Sequence, residues 1–88
     1  MNKSSRNNAD PDFVKDCDDL GIDHRANKIL ARYARIMLGR TSKAWQVAVH
    51  RSRKKHGDPR PYGIPLYKGN DGYNYVMRND FLRVYNKS

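Results

Sequence analysis

The chain has 88 residues, enough for one small domain with a marginal core. Eighteen Lys and Arg outweigh nine acidic residues, all of them Asp, for a net charge of +9. The single cysteine excludes an intrachain disulfide, and without Glu no helical carboxylate–histidine metal motif can be written.

The charge is uneven. Residues 1–23 hold six Asp against three Lys/Arg, a net of −3, and residues 24–88 hold three Asp against 15 Lys/Arg, a net of +12. So concentrated a positive charge repels itself and argues for a polyanionic partner. DNA, RNA and an anionic membrane all qualify. The membrane fits least, because no apolar run approaches the roughly 20 residues needed to span a bilayer and no signal-peptide core is present. The cysteine usage fits a reducing cytoplasm.

Residues 1–9 lack apolar content and read as a disordered N-terminal arm, a start without a role of its own unless Lys3 and Arg6 touch phosphate. Residues 10–88 then form the domain. Asp10-Pro11 is a helix-start signal, and Phe13, Val14, Cys17 and Leu20 recur at helical spacing up to Gly21, where Ile22 can pack back. This predicts a first helix over 11–20 whose Asp12, Asp16, Asp18 and Asp19 face away from a polyanion. Cys17 reads as a small core residue.

Asp23 can cap a second helix over about 24–38, with Ala26, Ile29, Leu30, Tyr33, Ile36 and Met37 on one face and Lys28, Ala31, Arg32 and Arg35 opposite. Gly39 ends it, and Thr41 or Ser42 opens a third helix that runs to about His56. On that helix Trp45, Ala48, Val49 and Ser52 share one side. Lys43, Gln46, Val47, His50 and Lys54 share the other, flanked by Arg51 and Arg53. The first side can dock on a core. The second suits the major groove of DNA: cations for phosphate, Gln for a base edge, a methyl-bearing side chain for thymine. Taken alone, it is also what the solvated face of an ordinary amphipathic helix looks like. Two helices joined by a tight Gly-containing turn, the second strongly basic, read as a helix-turn-helix.

Gly57 stops the third helix, and residues 58–63 form a stiff non-helical connector. Ile64–Lys68 and Tyr73–Arg78 are strand candidates around Gly69-Asn70-Asp71-Gly72, a hairpin signal. Lys68, Asn70, Tyr73 and Asn74 would sit near its tip, within reach of backbone or minor groove. Tyr67, Tyr75 and Tyr85 read as packing residues. Asn79 can cap a short final helix over 80–86 that buries Phe81, Leu82 and Tyr85. The expected fold is therefore α+β, mostly α: a winged helix-turn-helix with three helices, a two-stranded hairpin wing and a short C-terminal helix.

The run Leu38-Gly39-Arg40-Thr41-Ser42-Lys43-Ala44-Trp45, followed by Pro65-Leu66-Tyr67-Lys68-Gly69-Asn70-Asp71-Gly72-Tyr73-Asn74-Tyr75-Val76-Met77-Arg78-Asn79-Asp80-Phe81-Leu82, resembles the small phage and mobile-element excisionases. These belong with the mercury-resistance-regulator-like winged helices. The likeness covers about residues 28–86; the first helix is an addition that the smallest members lack, and the link at 57–63 is longer. It implies sequence-specific binding of double-stranded DNA, with Lys43, Gln46, Val47 and His50 where that family reads DNA and Thr41, Trp45, Ala48 and Val49 at its cap and core positions; the basic helix read above adds Arg40, Thr41, Ser42, Arg51, Arg53 and Lys54 to the expected DNA-binding set. The wing would add Lys68, Asn70, Tyr73 and Asn74. It also implies an architectural rather than enzymatic protein, which binds repeated sites with copies of itself, bends DNA, steers a tyrosine-type integrase toward excision and represses a nearby promoter. Its setting would be a bacterial nucleoid or a phage-infected cell.

Two other classes stay open. Basic residues interleaved with tyrosines also suit RNA binding, and a phage or plasmid protein of this size can bind an acidic host protein. Catalysis is not expected: His24, His50 and His56 with one cysteine match no metal-ligand spacing, no cofactor motif is present, and nothing assembles a catalytic set.

Overall fold

The structure, a computed structural model, describes residues 11–86. The expected arm at 1–9, with Lys3 and Arg6, and the expected cap Asp10 lie outside the described residues. In chain order the elements are α1 (Pro11–Leu20), β1 (Lys28–Leu30), α2 (Ala31–Met37), α3 (Ser42–His56), a 3-10 turn (Pro61–Gly63), β2 (Tyr67–Lys68), β3 (Asn74–Met77) and α4 (Arg78–Tyr85). The described residues are thus α+β and mostly helical, with four α-helices and one three-stranded antiparallel sheet of order β1-β3-β2.

α1 falls where its spacing predicts, and it ends in a Schellman motif. Gly21 N–H donates to Asp18 O (3.1 Å) and Ile22 N–H to Cys17 O (2.9 Å), which brings Ile22 back against the core. Phe13 and Cys17 are fully buried. The Phe13 ring lies 5.9 Å from that of Phe81 and 5.7 Å from that of Tyr85, and the Tyr85 hydroxyl donates to Asp16 Oδ2 at 2.6 Å, so α1 is fastened to α4.

The helix expected over 24–38 is the main correction. Asp23 caps only a turn, its carboxylate accepting from Arg25 N–H (2.9 Å), and residues 28–30 are strand. β1 pairs antiparallel with β3, Ile29 opposite Val76 and Leu30 opposite Tyr75, while Arg78 N–H donates to Asn27 O (2.8 Å) and the Arg78 guanidinium to His24 O (2.7 Å). Pairing with a strand almost fifty residues away overrides a helical pattern in the local sequence. α2 is consequently short, and its burial is not the one expected. Ala31 and Ala34 are buried, and Ile36 is 46% exposed. α2 lies close against β3, an approach that alanine permits and a larger side chain would block.

α2 also closes in a Schellman motif, Gly39 N–H to Ile36 O (2.9 Å) and Arg40 N–H to Arg35 O (3.1 Å). Gly39 sits at φ 70°, a conformation that costs glycine little, and this permits α3 to begin three residues later.

β2 and β3 flank the Gly69–Gly72 turn, which is closed by Gly69 N–H to Tyr73 O (2.9 Å) and Gly72 N–H to Gly69 O (3.0 Å). Both strands are shorter than expected. Residues 64–66 leave the ladder because Pro65 has no N–H to give and Leu66 N–H donates to Pro59 O (3.1 Å) in the connector instead. α4 starts two residues before its expected 80, directly from β3, with no side-chain cap. Phe13, Ile64, Val76 and Phe81 are the large, fully buried centre of the core.

Candidate nucleic-acid interface

α3 is positioned by its ends and by one ring. Thr41, not Ser42, is its cap, with its hydroxyl oxygen accepting from Ala44 N–H at 3.1 Å. Gly57 closes the other end at φ 83°, its N–H donating to Arg53 O (2.8 Å). Trp45 is the one buried residue of the fifteen, 8% exposed and packed 5.9 Å from the ring of Tyr62. Tyr62 takes a left-handed conformation (φ 57°, ψ 25°), a strained choice for a bulky residue, and the Arg40 guanidinium lies over the same ring, 5.0 Å from its centre. Ser52 fastens the connector to the helix by donating to Val49 O (2.9 Å) and accepting from Arg60 N–H (2.7 Å).

With Trp45 turned inward, Ser42, Lys43, Gln46, Val47, His50, Arg51, Arg53 and Lys54 are all exposed, Val47 to 40%. No acidic side chain occurs in α3, and its last turn holds Arg53, Lys54, Lys55 and His56, which favour the negative end of the helix dipole. No ion pair to another described residue involves these cations.

Between α3 and the hairpin lies an open cleft of about 380 Å³. Gln46, His50 and Arg53 edge it on the helix side, Leu66 and Asn74 on the hairpin side, with Trp45 and Val49 beneath. A stripe of helix residues and one hairpin residue from the expected set are thus brought together. Val47, Arg51 and Lys54 follow one another at helical spacing along the crest just outside the cleft.

The four expected hairpin-tip residues do not share a face. Side chains alternate along a strand, and β3 buries Val76 on one side. Asn74 lies on the same side as Val76 and opens on the α3 cleft, and Lys68 is registered opposite Asn74. Tyr73 and Asn70 line a different hollow, with Lys28 and Tyr75.

Comparisons with known proteins find no matching family model, no matching curated protein and no matching solved structure.

One part of this geometry has no signal in the sequence, and a second needs the register of β3. Leu66 enters the cleft because the connector bonds residue 66 to Pro59, a contact no local pattern signals. The separation of Tyr73 from Asn74 was available in principle: period-two alternation places them on opposite faces once the register of β3 is known. Cys17 plays no part in the interface. Burial, with the nearby Asp16 and Asp18 carboxylates, pushes its thiol up to about 11 against a weaker opposing pull from Arg78, so it is a neutral core group at ordinary pH.

Proposed function

We propose that this chain is a winged helix-turn-helix protein that binds double-stranded DNA, with α3 laid in the major groove and the β2–β3 hairpin as the wing. The observation that carries the reading is α3 itself: fifteen residues, one of them buried, none acidic, five of them Lys or Arg, beside an open cleft that the hairpin bounds on its other side. Folding alone gives no reason to collect that charge on one surface, whereas a phosphate backbone does. Gln46 and His50 are the base-reading side chains and Val47 the thymine-methyl contact; Arg40, Lys43, Arg51, Arg53 and Lys54 hold phosphate, with Lys68 and Asn74 from the wing.

The motif resemblance extends the proposal to a role. The protein is read as a small architectural factor of excisionase type, which binds beside copies of itself, bends its site, biases a tyrosine-type integrase toward excision and represses an adjacent promoter. Bending a short site costs on the order of 1–6 kcal/mol, which several phosphate contacts and neighbouring copies would offset.

Footprinting on fragments of the source genome locates the site and provides the test. Gln46→Ala then relaxes the preference for that site over random duplex, by roughly 1–3 kcal/mol at the base pair it reads. Lys54→Ala weakens specific and random duplex alike. If both variants lose affinity equally on every sequence, α3 does not read bases.

A further inference from the structure

The sheet face turned away from Val76 has features that neither the core nor the duplex-binding proposal uses. Register places Lys28, Leu30, Tyr67 and Tyr75 on it. The rings of Tyr67 and Tyr75 stack at 5.5 Å with an interplanar angle of 28°, and Lys28 Nζ stands 4.8 Å from the centre of the Tyr75 ring. Tyr73 projects beside them, 60% exposed.

We propose that this face is a second nucleic-acid surface, one that takes the unpaired bases of a single strand on Tyr73 and its neighbours. Tyr73 has a hollow on each side. One, of about 370 Å³, is bounded by Lys28, Asn70 and Tyr75; the other, of about 190 Å³, by Leu30, Arg32 and Asn74. Leu30 lines both, so each side offers an apolar wall, the tyrosine ring and one cation. That is the chemistry of a base with its phosphate: a flat π-face to stack and an anion to neutralise.

The hollow beside Tyr75 is kept open by the turn. A Cβ on Gly69 would stand 2.9 Å from an Asp71 carboxylate oxygen and 3.2 Å from Tyr73 O. The Asp71 carboxylate, the one acidic group lining either hollow, accepts from Tyr73 N–H at 3.0 Å, which fixes the base of the Tyr73 side chain. Asn70 offers an amide for the edge of a stacked base. A duplex would leave the Tyr73 ring without a base to stack on, because its bases are already stacked on one another. An apolar peptide would leave Arg32, whose hollow has no acidic lining residue, without counter-charge. Asn74 borders both the smaller hollow and the α3 cleft, the one residue they share, and the inference does not depend on α3 meeting a duplex.

The test uses the full chain with a single strand of about a dozen nucleotides, made as DNA and as RNA, each carrying one 2-aminopurine. Binding is followed by anisotropy and stacking by quenching of the 2-aminopurine. The native protein quenches the probe. Tyr73→Ala abolishes the quenching and weakens single-strand binding about tenfold, the scale of one lost base stack. Tyr73→Phe restores both, since stacking uses the ring and not the hydroxyl. Tyr67→Ala gives a smaller loss in the same direction and provides a second variant at an exposed site. Equal behaviour of the two strands assigns recognition to the bases, and a preference for RNA adds contact with the 2′-hydroxyl; either outcome supports the assignment. Undiminished quenching by Tyr73→Ala overturns it, as does single-strand binding that is lost with Lys54→Ala and indifferent to Tyr73. Failure of the duplex proposal would be read separately, on duplex DNA with the α3 variants.

Discussion

α1 turns two of its ten residues fully into the core and leaves its aspartates outside, bound to α4 through Phe13 and through the Tyr85–Asp16 hydrogen bond. α3 is half as long again and gives the core one ring, Trp45. Both are amphipathic, but the ratio differs: α1 is organised around what it buries, α3 around what it displays. The difference suggests that α1 exists to hold the fold together and α3 to meet something outside it. On the proposed function the opposite charges of the two helices follow, since acid is harmless on a supporting element and damaging on one that approaches a polyanion.

The contrast is broken most forcefully by truncating a buried ring. Phe13→Ala should cost about 3–5 kcal/mol of stability, read from denaturant unfolding, while Lys54→Ala leaves the melting temperature unchanged and lowers duplex affinity. A Phe13 variant of native stability would mean that α1 is an appendage. Tyr85→Phe is a milder test of the same link. It removes the donor to Asp16 Oδ2 and should cost about 1 kcal/mol, because Asp16 is half-exposed and water takes up part of the loss. Thr41→Ala removes the cap of α3 and should likewise cost about 1 kcal/mol, with the larger consequence in binding, because the frayed first turn carries Lys43 and positions Gln46. A Thr41 variant that binds like the native chain would separate the cap from the interface.

Much of α3 was legible in the sequence because its signals are local: Gly39 to end the preceding helix, Thr41 to cap, Trp45 among polar neighbours to choose the inward side, Gly57 to stop. α1 was legible for the same reason. Residues 24–31 were not. Ile29, Leu30, Tyr33 and Met37 fit a helical period, and only pairing with Val76 and Tyr75, far along the chain, makes Lys28–Leu30 a strand. Once β1 is strand, α2 begins at Ala31 and its face is fixed by how closely it approaches β3, so Ala31 and Ala34 turn in and Ile36 turns out. The hairpin was legible as a hairpin but not in its register. Register decides that Asn74 borders the α3 cleft, which Tyr73 does not reach, although both border a hollow next to Leu30 and Arg32.

The central claim, that α3 displays its charge to a phosphate backbone, is tested most directly by the salt dependence of duplex binding. Each phosphate neutralised contributes about −0.9 to the slope of log affinity against log salt, so engagement of the five Lys and Arg of α3 gives a slope of roughly −4.5. Lys54→Ala should make it shallower by about one. A slope near zero, or one unmoved by that substitution, would contradict the account.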